Sequence, residues 1–471
     1  MIRTRIAPSP TGALHIGTAR TALFNYLFAK KQGGAFILRI EDTDLLRSDQ
    51  KYEKDILDSL RWLNINYDEG PYRQSERLET YKKYLEKLIS AGNAFYCFHT
   101  EAELEAERER LLTEKKTPIH LCEYRDTPRT DAEKLIKEKP EHIIRFKTPA
   151  GRRLKFSDLI RGEISFESDT LGDFSLAKDL TVPLYNFAVV IDDYEMKISH
   201  VIRGEDHISN TPKQMLIQEA LGLPRPEYAH LPLILGPDRA KLSKRHGATS
   251  IEDYRKLGYL PEALLNFMAL LGWNPGTEQE LFSLGELAGA FDMAHVKKSA
   301  AVFNLEKLDW LNGEYIRKQN PEELLALAEH FFPDGAKNFP RGYLKKIVAL
   351  EQPRLKKLSE IKDKTDYFFA PPDYDAELLR WKDQTTDDVR GSIDKSIELL
   401  SKIELQNPSV SDLEHIFLPA AEEAGDRGRL LWPLRAALSG KKASLGPFEL
   451  MAVLGRDEAL KRLESARKKL A

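Results

Sequence analysis

The sequence predicts an α/β fold: a doubly wound, largely parallel sheet, interrupted by an α+β insertion and followed by a mainly helical C-terminal region. Three observations predict it. Compact apolar runs alternate with helix-spaced apolar residues at the start of the chain, the signature of strand–helix–strand units. A polar, highly charged stretch breaks that alternation near residue 96, and from about residue 321 helical spacing dominates. The length, 471 residues, suits about three domains at ~150 residues each.

Residues 2–7 form a short strand, and Pro8, Pro10 and Gly12 then force a loop. A helix over 18–31 stops at Gly33-Gly34. FILRI, 36–40, is a buried strand. Tyr52, Ile56, Leu60 and Leu63, and then Leu78, Tyr81, Leu85 and Leu88, recur at intervals of three and four and mark two amphipathic helices. The insertion, 96–184, opens with a charged helix over 100–116 and carries the short strands HIIRFK and EISFES. The apolar runs NFAVVI, 186–191, and ISHVI, 198–202, read as buried strands that resume the first sheet. A helix from Pro261 is broken by LGWNPG, and the remainder is helical.

Composition narrows the function classes. Hydrophobic residues are 42% and charged residues 31%, which excludes a disordered chain. No apolar run is long enough to span a membrane, and MIRTRIAPSP lacks the apolar stretch of a secretory signal. Two cysteines, Cys97 and Cys122, build no disulfide framework, so a reducing, cytoplasmic setting is expected. Lys plus Arg is 71 against 74 Asp plus Glu, net −3, so any nucleic-acid surface must be a local patch.

Two loops carry phosphate chemistry. Pro8 to Thr18 joins a strand to a helix, whose N-terminus offers N–H groups and a partial positive charge to an anion. In it Gly17 permits close backbone approach and His15 can donate to a phosphate oxygen, although a histidine before a helix is also an ordinary cap. The second loop, LGPDRAKLSKR, sets Lys241 and Lys244 three apart, beside Arg239 and Arg245. Mobile ammonium groups suit the charge that builds on a triphosphate during adenylyl transfer, and a solvated basic loop is the alternative.

HIGT and KLSKR, in that order, resemble the signature of the class I aminoacyl-tRNA synthetases. RIAPSPTGALHIGTARTALFNYLFA, LRIEDTD, LYNFAVVIDDYEMKISHVIRGEDHISNTPKQ and LSKRHGATSIEDYRKLGYLPEALLNFMALLGWNP resemble the bacterial-type glutamyl-tRNA synthetases across the catalytic half. LWPLRAALSGKKASLGPFEL resembles their anticodon region more weakly. Thr18 stands where the general motif has a second histidine.

The resemblance implies a Rossmann-type catalytic domain, 1–95 with 185–255, and an inserted acceptor-stem-binding domain, 96–184. It further implies a helical connecting domain, 256–320, and a helical anticodon-binding domain, 321–471. The implied activity is glutamate–tRNA ligation: ATP with Mg²⁺ activates L-glutamate to the adenylate, and the glutamyl group passes to the 3′-terminal ribose of tRNA(Glu). Charging of tRNA(Gln) as well, or an inert tRNA-binding paralogue, are the alternatives. A monomer that activates glutamate only with tRNA bound is also implied.

By the same resemblance His15, Lys244 and Lys241 are catalytic, and His15, Gly17, Thr18 and Lys244 contact ATP. Arg5 with Tyr185 would take the side-chain carboxylate, Arg203 the α-carboxylate and Glu41 the ammonium, with Ser9 and His207 completing the pocket. An arginine fork suits a carboxylate, and a buried one would lose its charge partner with glutamine. Arg354 and Arg435 are candidates for the anticodon, each also readable as a helix-surface arginine.

Cys97-x-His99 and Cys122-x-Tyr124 bracket the charged helix where related enzymes carry a zinc knob. Cys97, His99, Cys122 and Tyr124 are the expected ligands, with His120 an alternative fourth donor and two buried free cysteines the other reading.

Overall fold

The computed structural model describes residues 1–44 and 47–470, apart from the side chain of Lys244. β1 (Arg3–Ile6) leads through the Pro8–Pro10 loop into α1 (Ile16–Lys31). The chain turns through Gly33, at a φ of 58° that favours glycine, and returns as β2 (Ala35–Ile40), buried at every position. A strand covered on both faces is why FILRI is apolar without alternating. α2 (Gln50–Trp62) and α3 (Leu78–Ser90) flank β3 (Glu69–Arg73) and bury Ile56, Leu60, Tyr81, Leu85 and Leu88, residues picked out by the three-and-four spacing.

β4 (Ala94–Cys97) is followed by α4 (Glu101–Thr113), which buries none of its residues and is started by a reciprocal Thr100–Glu103 cap. After α5 (Arg129–Glu138) come β5 (Ile143–Phe146), the hairpin of β6 (Arg153–Asp158) and β7 (Gly162–Glu167), and β8 (Ser175–Ala177). β4, β5 and β8 form a small antiparallel sheet. The chain then runs through α6 (Tyr185–Glu195), β9 (His200–Gly204), α7 (Thr211–Leu221), β10 (Glu227–Leu231) and β11 (Ile234–Leu235).

β1, β2 and β3 pair in parallel, as do β9 with β10 and β10 with β6, while β7 pairs antiparallel with β6. The two sheets meet along β1 and β9, where Ser199 N–H donates to Arg3 O at 3.0 Å and Arg3 N–H to Ser199 Oγ at 2.8 Å. Strand order therefore reverses between β1 and β9. Parallel sheets bind ligands at the carboxyl ends of their strands beside such a reversal. Arg5 of β1 and Arg203 of β9 stand on its two sides.

One expectation is corrected. NFAVVI is not a strand but the middle of α6, and the strand that returns to the sheet is β9 alone. Phe187 to Ile191 are all buried, so the helix is apolar all round and its short run mimics a buried strand. The helix continues through Asp192 and Asp193 to 11 residues, a length more typical of helices.

Contacts divide the chain into two compact units: Met1–Arg255 with Pro261–Leu308, and Lys256–Leu260 with Asp309–Ala471. The first holds the sheets. The second is helical, with Thr386–Ser401, Val410–Glu423, Gly428–Ser439 and Arg456–Lys469 packed around Ile393, Phe417, Leu434 and Leu463. No helix among the described residues is long and apolar enough to cross a membrane.

Candidate active site

A cavity of about 930 Å³ opens at the sheet reversal. Arg5, Ser9, His15, Gly17, Thr18, Glu41, Tyr185, Arg203, His207 and Lys241 all line it. The Lys244 side chain lies outside the described residues; its backbone starts the turn Lys244–His246. The first signature loop is joined to the segment that follows the second: Ile16 N–H donates to Thr249 O at 2.8 Å and Ile251 N–H to Leu14 O at 2.9 Å.

At the first signature loop, His15 caps α1, and its Nδ1 accepts from Gly17 N–H at 3.0 Å. That acceptor role puts the ring proton on Nε2. Burial, reinforced by the Lys241 charge, holds the His15 pKa below the ordinary histidine value, so the ring is a neutral donor at pH 7. A Cβ added at Gly17 would stand 3.3 Å from His15 Nδ1 and crowd this cap. Lys241 Nζ is 3.2 Å from Asp206 Oδ2, but its side chain is 65% exposed, so this weak pair leaves the ammonium mobile.

The part of the cavity at the sheet reversal is built around two unlike arginines. Arg5 Nε donates to Asp193 Oδ1 at 3.1 Å and its Nη2 to Oδ2 at 3.5 Å. Arg203 is 5% exposed and has only neutral partners: Nε donates to His230 Nε2 at 3.1 Å, Nη1 to Gln214 Oε1 and Nη2 to Thr211 Oγ1, both at 2.9 Å. These three bonds leave one N–H on each terminal nitrogen, matching the two oxygens of a carboxylate. Among the described residues no carboxylate lies within ion-pair distance of Arg203. A buried cation that lines a cavity without a counter-charge calls for an anionic ligand.

Glu41, just beyond β2, is 3.1 Å from Arg39 Nη2. Burial raises its pKa above the ordinary value, against the pull of Arg39 and Arg5. Ser9 Oγ donates to Glu41 O at 2.8 Å, which ties the first loop to the end of β2. Tyr185 begins α6, and its hydroxyl is 3.0 Å from His207 Nδ1. Burial, then the Arg203 charge, lowers the His207 pKa to about 4, so this ring is neutral.

Several residues beneath the pocket were not singled out from sequence. Asp193 bridges Arg5 and the fully buried Arg39, whose Nη1 donates to it at 2.7 Å. Arg77, Tyr81 and Gln74 hold the neighbouring Asp192 at 2.7–2.8 Å. The pair of aspartates following FAVVI was the available signal: carboxylates adjoining a buried run need cations.

Away from the cavity, His99 Nδ1 is 3.5 Å from Cys97 Sγ and 3.7 Å from Cys122 Sγ, and His120 Nε2 is 3.6 Å from Cys97 Sγ. The four donor atoms lie within 4.8 Å of one another. Zinc bonds of about 2.0–2.3 Å at tetrahedral angles give edges of roughly 3.4–3.8 Å, which these three sulfur–nitrogen spacings match. The Glu107 carboxylate holds His120 Nδ1 and orients Nε2 inward. His120 Nε2, the alternative fourth donor, stands in this cluster, while the Tyr124 hydroxyl lies 3.2 Å from Lys139 Nζ and its ring packs 5.3 Å from His99.

Residues 1–310 match the family model "tRNA synthetases class I (E and Q), catalytic domain", and residues 323–467 match "Anticodon binding domain". The chain is 46% identical to a glutamate–tRNA ligase of Carboxydothermus hydrogenoformans, over 98% of this chain and 99% of the relative. It is 45% identical to glutamate–tRNA ligase 1 of Caldicellulosiruptor saccharolyticus, over 98% of each. The chain belongs to the glutamate–tRNA ligases. A crystal structure of such a ligase from Elizabethkingia meningosepticum, in complex with its amino acid, superposes with a TM-score of 0.89 at 34% identity, covering 100% of both chains.

In this ligase the helical unit carries both anticodon candidates. Arg435 lies 4.5 Å over the Trp432 ring, and Trp432 is 5.0 Å from Trp381. Burial and the charge of Arg354 together lower the Arg435 pKa. Arg354 Nη1 is 3.5 Å from Glu351 Oε1. Trp432 is an aromatic surface that the sequence had not assigned.

Proposed function

We propose that this ligase activates L-glutamate in the cavity at the sheet reversal. The Arg203 fork holds the α-carboxylate, the free edge of Arg5 and the Tyr185 hydroxyl hold the side-chain carboxylate, and Glu41 takes the ammonium. Ser9 and His207 complete the pocket. ATP enters as its Mg²⁺ complex, its phosphates beside the neutral His15 Nε2–H, Gly17, Thr18 and the lysines Lys241 and Lys244. One α-carboxylate oxygen attacks the α-phosphorus, the bond to the bridging oxygen breaks, and pyrophosphate leaves. The terminal ribose hydroxyl of tRNA(Glu) then attacks the mixed anhydride and AMP leaves. No protein nucleophile is needed; positioning and charge stabilisation carry the reaction.

Residues 96–184 would hold the acceptor stem, 256–320 the connecting stem contacts, and 321–471 the anticodon loop, in a cytoplasmic monomer. Cys97, His99, His120 and Cys122 would hold a structural zinc ion that pins the end of β4 to the loop after α4. The observation that carries the reading is the buried Arg203, which lines the cavity without an acidic partner among the described residues. ATP–pyrophosphate exchange with and without tRNA tests it. Arg203→Ala should abolish glutamate-dependent exchange while tRNA binding persists, and normal exchange in that variant would refute the assignment.

A further inference from the structure

Behind Arg203 lies a pair of buried groups that the reaction scheme does not use. Arg203 Nε donates to His230 Nε2, so that nitrogen must present its lone pair. On the other edge of the ring, Asp158 Oδ2 stands 2.6 Å from His230 Nδ1. An ionised carboxylate only accepts, which fixes the proton on Nδ1. Both side chains are 0% exposed. Asp158 is itself held, its Oδ1 accepting from Ile160 N–H at 2.9 Å and Arg161 N–H at 2.8 Å. Asp158 ends β6, His230 lies in β10 and Arg203 in β9, so the three groups cross adjacent strands toward the cavity.

We propose that Asp158 and His230 are positioning residues for the amino-acid site: Asp158 sets the tautomer of His230, and His230 aims the Arg203 fork at the substrate α-carboxylate. The inference rests on the role given to Arg203 above. Around His230 stand Asp158, Arg161, Arg203, Thr211, whose Oγ1 lies 3.2 Å from Nε2, and the Phe156 and Tyr228 rings, each 6.2 Å away. Burial keeps the ring neutral against the pull of Asp158, with Arg203 on the side of burial. An imidazolium would oppose the guanidinium and could not accept from it.

Chemistry separates this role from mere support of the β6–β7 turn. Asp158→Asn keeps an oxygen for the Ile160 and Arg161 N–H groups but turns an NH₂ toward Nδ1. The ring proton then moves to Nε2, and two donors face each other at Arg203. Of the two His230 bonds, His230→Gln keeps the one from Arg203, its amide oxygen standing near the position of Nε2. His230→Leu reproduces neither.

The test is tRNA-dependent pyrophosphate exchange on the full chain, with KM for glutamate and for ATP measured separately. Asp158→Asn and His230→Leu should raise the glutamate KM about ten- to hundredfold with the ATP KM unchanged, and His230→Gln should restore most of the loss. An unchanged glutamate KM in Asp158→Asn, a parallel rise in both KM values, or His230→Gln no better than His230→Leu would overturn the relay. Should His230→Leu fail to fold, Asp158→Asn and His230→Gln still decide. Arg203→Ala, run alongside, separates the two levels: normal glutamate use there removes the assigned role of Arg203. Loss confined to Arg203→Ala removes the relay alone.

Discussion

Glu41→Gln isolates the ammonium subsite. The Glu41 side chain is 12% exposed and its one resolved ion pair is with Arg39, at 3.1 Å. The amide keeps the shape and removes the charge. A hydrogen bond to a charged group contributes roughly 1.5–3 kcal/mol, and at about 1.4 kcal/mol per factor of ten the glutamate KM should rise about ten- to hundredfold. The acid limb of kcat/KM for glutamate should change too. Burial raises the Glu41 pKa, so the ionised form that binds ammonium is present above this raised value and lost as pH falls through it. In the wild type the limb should lie above the ordinary glutamate value of about 4.3, and Glu41→Gln should flatten it. Stability runs the other way. With its folded pKa raised, Glu41 contributes stability below its unfolded pKa that is lost as pH rises through the folded one. At neutral pH the variant should therefore melt no lower than the wild type. The assays are tRNA-dependent exchange across pH and thermal unfolding. A retained acid limb, or an ATP KM rising in step with that for glutamate, would refute the reasoning.

Purified protein should carry about one equivalent of zinc, released to a chromogenic chelator, and Cys122→Ser should lose it together with several degrees of Tm; metal-free protein of unchanged Tm would contradict this. Lys244→Ala should slow adenylate formation by orders of magnitude with little change in the glutamate KM, as read in single-turnover exchange. Trp432→Ala should weaken tRNA binding roughly tenfold, if one base stacks there, without altering the KM for glutamate; filter binding decides. Charging of separated isoacceptors should give acylated tRNA(Glu), and its ratio to acylated tRNA(Gln) measures the breadth of specificity.

Local rules made much of the fold legible. Pro8, Pro10 and Gly33 punctuated the first strand–helix–strand unit because each constrains its own backbone, and Leu78, Tyr81, Leu85 and Leu88 marked the buried face of α3. α6 was misread because a helix surrounded by protein loses the polar face that reveals its period. The pairing of β6 with β10 was also out of reach. It joins Asp158 to Tyr228, 70 positions apart by residue number, and nothing in either strand names the other.

The site separates along the same line. The residues proposed to touch ligand sit in loops and at strand ends, where His15, Glu41 and Arg203 stand out as charged or polar groups beside apolar runs. Residues that hold them are chosen by tertiary contact: Asp193 for Arg5, and Gln214, Thr211 and His230 for Arg203. This difference in partners carries functional weight. Arg5 directs Nε and Nη2 to a fixed aspartate, so part of its charge is already compensated. Arg203 has only neutral acceptors, and its counter-charge must come from the ligand. Under the proposed roles Arg203 takes the α-carboxylate that any amino acid brings, and so would supply affinity common to all of them. Arg5, as proposed, would meet the one group in which glutamate and glutamine differ, and exchanging a carboxylate for an amide there would leave its remaining donors facing a neutral end. On that proposal affinity and selectivity would rest on different arginines, on opposite sides of the sheet reversal.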